Sequence, residues 1–421
     1  MKNLQKKARA YALKNALAYH GKAQQGAVIS ALFNEGLKKE DVKKYIKEIS
    51  GIVNDVNKIS IEEQKKEFEK MKGKVSERKV REGLPELPGA KKGKVIMRFA
   101  PSASGPFHIG HAMTACISFD YVKKYGGKFY VRIEDTNPEN IYPLAYKMIQ
   151  EESIWLFDGI AKIQIQSENM KTYYEYAKKL IRKNSAYVCT CPSEKFKEFA
   201  KEKQNCPCRK LSVKENLERW KKMFDKKGTK KSEIFGATKS KDEKDLASYK
   251  PGEAVLRFKS SMKHKNPAMR DFPLARINET PHALQKRKYR VWPLMNLAVP
   301  VDDIETKMTH VIRAKDHRDN AERQKMIYKV LGKKFPWVGF LGRYKFKDLE
   351  LSSTKMRKAI EEKKYSGWND PKLPTISSLR KRGYKPEAFW KFAEKVGLSE
   401  ADKLISKEEY FKLLDSFNRN I

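Results

Sequence analysis

Long apolar stretches are absent from this sequence, and so is the cysteine pattern of a secreted protein. No run of 18 apolar residues occurs, so we expect no membrane-spanning helix and no membrane partner. Cysteine is scarce, with 5 in 421 residues, and four of the five lie close together in the sequence. Such clustering is not the disulfide framework of a small secreted domain. We therefore expect a cytoplasmic protein.

Acidic residues are few relative to basic ones, with 52 Asp and Glu against 91 Lys and Arg and a net charge of +39. Charge bears on partners rather than on fold, and so large an excess favours a polyanion, with nucleic acid first. A lysine-rich surface without such a partner is the alternative. The first acidic residue is Glu35, a basic start that would also suit an organellar transit peptide. Because the segment continues into a helical region without a clear processing site, we assign it to the folded protein.

The chain is long enough for two to four structural units with a substantial core. Its N-terminal part is predicted to be helical, and Ser60 with Glu63 has the pattern of a capping box that opens a helix through about Lys74. Lys226–Lys244 is of low complexity and predicts an exposed, mobile loop. We expect five segments: a helical extension with a basic linker (1–93), a first catalytic half (94–184), an insertion (185–269), a second catalytic half (270–345) and a helical region (346–421).

Apolar strands and amphipathic helices alternate from Lys94 onward. A strand near 95–99, a helix over 109–125, a strand over 128–133 and a helix over 143–157 are predicted. A later strand over 309–313 precedes a helix that begins near Asp319, and the segment between the two halves reads as irregular and rich in lysine. This alternation predicts an α/β fold, a Rossmann-type parallel sheet with right-handed crossovers.

The most informative segment is the fifteen-residue run Arg98–Ala112, which reads as a strand, a Pro/Gly/Ser turn and the start of a helix. His108 and His111 lie one turn apart at the predicted helix N-terminus, where free N–H groups and the helix dipole attract anions. Gly110 between them has no side chain, so a flat ring can approach the backbone. The arrangement suits a nucleoside triphosphate, although two histidines at this spacing alone would more often be a metal pair or carry no function.

The run resembles the "HIGH" signature of class I aminoacyl-tRNA synthetases, in the form used by the glutamyl and glutaminyl branch. Further similarity covers nearly the whole chain and resembles the archaeal-type glutamyl-tRNA synthetases. It lies at 15–23, 53–57, 270–273, 302–304, 313–317 and 367–371. The resemblance implies that the catalytic domain is flanked by helical N- and C-terminal regions. It also implies that the insertion binds the acceptor arm of tRNA and that residues 346–421 carry further tRNA contacts.

Members of this family let the carboxylate of an amino acid attack the α-phosphate of ATP, and then transfer the acyl group to the 3′ end of tRNA. ATP with Mg²⁺ is therefore implied as substrate and cofactor. The implied ATP contacts are Pro101, His108, Gly110, His111 and Ser352, with His108, His111 and Lys355 as catalytic residues. Ser352 and Lys355 lie in Leu351–Met356, which matches the second ATP-binding element, "KMSKS". The match departs from the family pattern, since Ser353 stands where a lysine is usual.

The resemblance also implies a pocket for the side chain of glutamate. Arg98 and Arg313 would hold its carboxylate, because the planar fork of arginine suits two oxygens and would waste donors on an amide. Glutaminyl enzymes lack the second arginine. Glu134 would take the substrate ammonium, and Ser102 and Asn296 would add contacts. An ordinary Arg–Glu ion pair is the structural alternative, and Met295 departs from the tyrosine that is usual in the family.

Four cysteines form two close pairs, Cys189 with Cys191 and Cys206 with Cys208. Four thiolates fit a tetrahedral Zn²⁺, and related glutamyl enzymes carry a similar two-pair site in this insertion. The basic residues Arg209 and Lys210 are predicted to favour the thiolates. A reduced cluster without metal is the alternative. Cys116, on the predicted helix after the histidines, is expected to be a core residue.

The implied function is a ligase that joins glutamate to tRNA(Glu), with tRNA(Gln) as a second candidate substrate. Three alternatives stay open: a glutaminyl enzyme, against which Arg313 argues; a tRNA-binding relative with a relic nucleotide site; and a metal-structured RNA-binding module. Family members continue beyond a segment like Phe417–Arg419 into β-barrels that read the anticodon, whereas this sequence stops at Ile421. We expect the barrels to be absent or supplied by a separate anticodon-binding polypeptide.

Overall fold

The computed structural model describes residues 2–76, 83–225 and 248–421. The predicted loop Lys226–Lys244 and part of the predicted linker lie outside the described residues. The chain divides into two compact units, Met1–Arg81 and Glu82–Ile421. None of the helices in the described part of the chain is long and apolar enough to cross a lipid bilayer.

The N-terminal unit is helical, as predicted. Its helices are α1 (Lys2–Ala18), α2 (Gln25–Phe33), α3 (Val42–Lys58) and α4 (Ile61–Met71). The capping box is confirmed, since Ser60 Oγ accepts from Glu63 N while the Glu63 carboxylate accepts from Ser60 N at 2.9 Å. Leucine, valine and alanine side chains from α1, α2 and α3 form the core of this unit.

The first part of the larger unit alternates strands and helices as predicted. Its elements are β1 (Val95–Phe99), α5 (Ile109–Tyr125), β2 (Gly127–Ile133), α6 (Ala145–Leu156) and β3 (Lys162–Ile165). The strands are parallel, in the order β1-β2-β3, with Val95 opposite Gly127. The apolar face of α5 packs on this sheet, because Ala112, Cys116 and Phe119 follow one another at helical spacing and are buried.

The next part carries an antiparallel sheet. Its elements are α7 (Met170–Arg182), β4 (Ala186–Cys189), α8 (Ser193–Lys201), α9 (Val213–Lys222), β5 (Val255–Phe258), β6 (Pro273–Ile277) and β7 (Val291–Pro293). The strand order is β4-β5-β6-β7, and Ala186 pairs with Phe258. The prediction of an irregular segment was therefore wrong. Strands this short, whose partners lie far along the chain, leave no local periodic signal.

The parallel architecture resumes with α10 (Met295–Glu305), β8 (His310–Ala314), α11 (Arg318–Leu331) and β9 (Trp337–Leu341). Strands β8 and β9 are parallel. Thr309 N donates to Ile96 O at 3.1 Å, and Ile96 N donates to Thr309 Oγ1 at 2.9 Å, so β8 begins beside β1. The mixed α/β fold with parallel strands, predicted from the sequence, is confirmed.

The C-terminal part is mostly helical. Its elements are β10 (Tyr344–Phe346), α12 (Ser353–Glu361), α13 (Ile376–Lys381), α14 (Pro386–Val396), β11 (Lys403–Ile405) and α15 (Lys407–Arg419). Ile376, Phe389 and Tyr410 belong to the same apolar core as β1, β2 and α5. Trp390 Nε1 donates to Leu156 O at 2.8 Å. These helices are therefore built onto the parallel sheet, which places α13 beside the loop that precedes α5.

Candidate active site

His108 and His111 form a reciprocal pair at the N-terminus of α5. His108 is the N-cap residue, and its Nδ1 accepts from His111 N at 3.3 Å, while His111 Nδ1 accepts from His108 N at 3.4 Å. The two rings stack with centroids 3.7 Å apart. Because each Nδ1 accepts a hydrogen bond, the proton of each neutral ring is assigned to Nε2. Each ring therefore has one N–H donor, at Nε2, that takes no part in capping the helix.

The two imidazoles are neutral near pH 7. Burial, and then the neighbouring His111 ring, hold the pKa of His108 well below its ordinary value. Burial lowers the pKa of His111 to about 4. Neutral N–H donors at a helix N-terminus suit the oxygens of a phosphate chain, to which the free backbone N–H groups of the first turn also point.

The loop before α5 is tied to the C-terminal part of the unit. Ile109 N donates to Pro374 O at 3.0 Å, and Ile376 N donates to Phe107 O at 2.9 Å. His108 thus lies in a short antiparallel bridge with Thr375. This pairing fixes the backbone on both sides of the first histidine.

The second predicted ATP-binding element, Leu351–Met356, contacts the same loop. A Cβ added to Gly110 would lie 3.0 Å from Leu351 Cδ1, and one added to Gly105 would lie 3.0 Å from Ser353 Cβ. The two glycines therefore permit a close approach that a side chain would block. The two segments predicted to bind ATP, far apart in the sequence, are thus brought together.

Ser352 and Lys355 have different surroundings within this element. Ser352 is the N-cap of α12, and its Oγ accepts from Lys355 N at 3.3 Å. Lys355 is exposed, and its Nζ lies 2.7 Å from Glu350 Oε1. A phosphate group that binds Lys355 would have to compete with this carboxylate, although exposed pairs of this kind are weak. Pro101 is buried, and its carbonyl oxygen accepts from Glu134 N at 2.8 Å.

Arg98 lies in β1 and is engaged by an aspartate. Its Nε and Nη2 donate to the two carboxylate oxygens of Asp303 at 2.7 and 3.0 Å. Arg132, fully buried in β2, donates from Nη1 to Asp303 Oδ1 at 2.7 Å. Among the described residues, Nη1 of Arg98 has no hydrogen-bond partner. Asp303 thus holds the Arg98 guanidinium through Nε and Nη2, and Nη1 of Arg98 is left for a ligand.

Arg313 and Glu134 lie near Arg98, at the carboxyl ends of β8 and β2. Arg313 Nη1 donates to Gln324 Oε1 at 3.1 Å. Burial, and then the charge of Arg98, lower the pKa of Arg313 to about 10. Burial raises the pKa of Glu134 against the opposing charges of Arg132, Arg98 and Arg313. In the described part of the chain the Glu134 carboxylate makes no hydrogen bond and no ion pair, so it is available to a ligand.

The two other predicted substrate contacts lie beside these groups. Ser102 forms a parallel bridge with Glu134 and is exposed, with its Oγ 2.8 Å from Ser104 Oγ. Asn296, in the first turn of α10, is buried; its Nδ2 donates to Asn320 Oδ1 at 3.3 Å, and its Oδ1 has no partner. Met295 is 38% exposed and accepts a weak contact from Asn320.

The four clustered cysteines come together: Cys189 ends β4 and Cys191 follows it, while Cys206 immediately precedes the turn Pro207–Lys210 and Cys208 lies within it. Their sulfurs all lie within 4.8 Å of one another, and the Cys189–Cys206 and Cys191–Cys208 pairs are 3.8 Å apart. Zn–S bonds of about 2.3 Å in a tetrahedral site put neighbouring sulfurs about 3.8 Å apart. A disulfide would require about 2.0 Å. The donor set and its spacing therefore fit a Zn²⁺ ion.

The polar neighbours of this cluster differ from those expected. Arg209 forms an ion pair with the buried Asp271 rather than with a thiol. Instead, Arg219 Nη1 from α9 lies 3.4 Å from Cys208 Sγ, and Thr190 N donates to the same sulfur at 3.4 Å. Sequence adjacency pointed to Arg209, whereas the helix that covers the cluster brings in a residue from further along the chain. Cys116 is buried in the core, as expected.

Two carboxylates and one arginine of the site were not identified from the sequence. Arg132 and Asp303 orient Arg98, and Glu152 accepts a hydrogen bond from Phe107 N. A signal was present in each case, because a charged residue inside an apolar strand or on a buried helix face needs a partner. The sequence does not say which partner that is.

Comparison with known proteins agrees with this geometry. Residues 94–235 and 227–419 match the family model of "tRNA synthetases class I (E and Q), catalytic domain". The chain therefore belongs to the class I tRNA synthetases of the glutamate and glutamine branch. Its curated relatives include the glutamate–tRNA ligase of Methanocaldococcus jannaschii, 40% identical over 403 residues, which are 96% of this chain and 68% of that protein. The glutamate–tRNA ligase of Thermococcus kodakarensis is 40% identical over 98% of this chain and 69% of its own length.

The solved structures add support at the level of the fold. A glutamate–tRNA ligase from Elizabethkingia meningosepticum, crystallised with its amino acid, aligns with a TM-score of 0.51 and 21% identity. The alignment covers 78% of this chain and 69% of that one. The resemblance to archaeal-type glutamyl-tRNA synthetases that the sequence predicts is confirmed by the 40% identity to the curated archaeal relatives.

Proposed function

We propose that this chain is a glutamate–tRNA ligase, which activates glutamate with ATP and transfers the glutamyl group to the 3′ end of tRNA(Glu). The observation that carries the proposal is the cluster of Arg98, Arg313 and Glu134 at the carboxyl ends of parallel strands, next to the helix capped by His108. Ligands of open α/β sheets bind at this edge. Curated relatives at 40% identity bear the same name.

Each charged group of the cluster has a counterpart on glutamate. The free Nη1 of Arg98 and the guanidinium of Arg313 would bind the side-chain carboxylate, and the unpartnered Glu134 would bind the ammonium. The α-carboxylate would then face the α-phosphate of ATP. The chain needs no covalent intermediate, because holding two reactants in line supplies much of the rate enhancement. Asn296, with its unpartnered Oδ1, would accept a further hydrogen bond at the pocket.

His108 and His111 would act on the phosphates. Their Nε2–H groups, with the free N–H groups of the first turn of α5, would stabilise the charge that builds up as pyrophosphate leaves. Ser352 and Lys355 would close over the phosphates from the second element, with Pro101 and Gly110 lining the nucleotide. Among the described residues, the four cysteines are the one group of three or more potential metal ligands. Mg²⁺ would therefore be carried on the ATP phosphates.

The test is acylation in vitro with glutamate and glutamine against tRNA(Glu) and tRNA(Gln). We expect product with glutamate and tRNA(Glu), and none with glutamine, because the amide has one acceptor oxygen where the carboxylate has two and would turn its NH₂ group toward a guanidinium donor. The reactions with tRNA(Gln) show whether a second tRNA is also acylated. Acylation by glutamine alone would replace the proposal with a glutaminyl enzyme. No acylation at all, with tRNA binding retained, would replace it with a relic site.

The four cysteines are proposed to hold one structural Zn²⁺ that fixes the turn Pro207–Lys210 against β4. Metal analysis of the purified chain should find one zinc, and Cys206→Ser should lose it and unfold the insertion first. Cys116→Ala, a buried cysteine outside the cluster, is the matched control and should keep the metal. A wild-type chain with intact fold and no bound zinc would contradict the site.

Binding of tRNA is expected to be strongly salt-dependent, since the net charge is +39. Lysines that neutralise phosphates release counterions, so six such contacts would weaken binding roughly 10³-fold between about 50 and 200 mM salt. Filter binding of the acceptor arm alone and of whole tRNA measures this slope. Binding that does not change with salt would contradict the inference of a polyanionic partner.

We place the reaction in the cytoplasm. A separate polypeptide that reads the anticodon stays a prediction.

A further inference from the structure

Glu152 is a buried carboxylate on α6 that no role above explains. It is 6% exposed, and in the described part of the chain no lysine or arginine pairs with it. Its Oε2 accepts from Phe107 N at 2.6 Å. Its Oε1 accepts from Ser377 Oγ at 2.7 Å and from Ser377 N at 3.2 Å. One carboxylate thus joins the loop before α5 to the first turn of α13.

The donors around Glu152 require acceptors on both of its oxygens. Phe107 N and Ser377 N are backbone groups that can only donate. A glutamine could accept from one of them, but its NH₂ group would then face the other. A carboxylate accepts from both, and such charge-assisted bonds are short and strong. Burial raises the pKa of this carboxyl group to about 7, and the hydrogen bonds from Phe107 N and from Ser377 oppose that rise because they favour the charged form.

The residue that Glu152 holds is next to the first histidine. Phe107 precedes His108, and its carbonyl oxygen is held from the other side by Ile376 N at 2.9 Å. Both backbone polar groups of Phe107, its N–H and its carbonyl oxygen, are therefore held, the first by α6 and the second by α13. Any shift of the Phe107 amide would turn the His108 ring and the His111 ring stacked on it at 3.7 Å.

We propose that Glu152 is a positioning residue for the adenylation step: its carboxylate fixes the Phe107 amide and, through it, the two imidazoles that contact the phosphates of ATP. This inference rests on the proposed function. It differs from a stability role because it links the carboxylate to the nucleotide half of the site and leaves the glutamate pocket, built on β1, β2 and β8, untouched.

The test compares Glu152→Gln with Ser377→Ala in glutamate-dependent, tRNA-dependent ATP–pyrophosphate exchange, with rates per zinc-bearing, folded chain. Since each lost donor to the transition state costs about 10²–10³ in rate and the donors here are misplaced rather than removed, we expect kcat to fall by about 10- to 100-fold in Glu152→Gln. The KM for glutamate should stay unchanged. Ser377→Ala keeps both backbone bonds to the carboxylate, so its kcat should stay within about threefold.

A merely structural role would reduce the amount of folded chain without changing kcat per folded chain. Unchanged kcat in folded Glu152→Gln, or an equal loss in Ser377→Ala, would overturn the inference. Where the amide variant does not fold, Glu152→Asp keeps both acceptor oxygens on a shorter arm and should show the same selective loss of kcat. The inference alone fails if the wild-type chain acylates, His108→Ala is impaired and Glu152→Gln is not. The proposed function fails if the wild-type chain does not acylate.

Discussion

Replacing His108 with alanine is expected to lower kcat for glutamyl-tRNA formation by about 10²–10³-fold, the usual cost of losing one donor to a developing oxyanion. The ring has its Nδ1 engaged in the cap of α5, with His111 N 3.3 Å away, so the donor it would present to phosphate is Nε2–H. Single-turnover acylation at saturating ATP and glutamate measures the effect without interference from product release.

His108→Asn separates this donor from the capping role. Asparagine is a good N-cap, so its Oδ1 can accept from His111 N as the imidazole does. We expect the asparagine variant to melt like the wild type and yet to lose activity like the alanine variant. His20→Asn, in the N-terminal unit at φ +52, is the matched control, because asparagine tolerates that conformation. Full activity in His108→Asn would assign the histidine to structure alone.

Asp303→Asn is expected to cost about 3–5 kcal/mol of unfolding free energy, as breaking a buried charge network usually does. The carboxylate accepts from Arg98 at 2.7 and 3.0 Å and from Arg132 at 2.7 Å, and Arg132 is fully buried. An amide there would turn an NH₂ group toward a guanidinium and leave two cations short of one counter-charge. Urea unfolding at pH 7 measures the loss, and the KM for glutamate should rise because Arg98 is no longer held.

The same aspartate gives a pH signature. Burial alone would raise the pKa of Asp303, but the charges of Arg132 and Arg98 hold it well below its ordinary value. A carboxyl group with a lowered folded-state pKa contributes stability above its unfolded pKa of about 3.9, and that stability is lost as pH falls toward the folded-state pKa. Asp303→Asn should therefore be less stable than the wild type at neutral pH. Its free energy of unfolding should also lack the part of the decrease at acid pH that comes from protonation of Asp303. The matched control is Glu305→Gln, because Glu305 ends α10, the helix that also carries Asp303. This variant should lower the free energy of unfolding by less than about 1 kcal/mol. Equal losses in both variants would contradict a special role for Asp303.

Local sequence patterns were sufficient for the scaffold of the site. The apolar spacing and the Pro/Gly break place α5 at Ile109–Tyr125, the range that the sequence predicts. The parallel strands followed from alternation with helices of sufficient length to cross over. The close pairs of cysteines indicated a four-sulfur cluster, because residues two apart on either side of a turn can converge on one point. These features depend on neighbours in the sequence.

Contacts between distant segments could not be predicted in this way. The ion pair between Arg98 and Asp303 joins residues 205 positions apart, and the bond from Ser377 to Glu152 spans 225. No local sequence pattern indicates that Gly105 packs so closely against Ser353 that a side chain would not fit there. Arg98 was predicted as a substrate residue from its place in the family motif, whereas its partner Asp303 depends on how α10 packs against β1, which no local pattern specifies.

The most direct test of the account is a structure of this chain with glutamate and a non-hydrolysable ATP analogue. We expect the side-chain carboxylate of glutamate to lie within about 3 Å of Arg98 Nη1 and of the Arg313 guanidinium. We also expect phosphate oxygens at hydrogen-bond distance from the Nε2 atoms of His108 and His111. Glutamate bound away from both arginines, or a triphosphate that does not reach the two imidazoles, would contradict it.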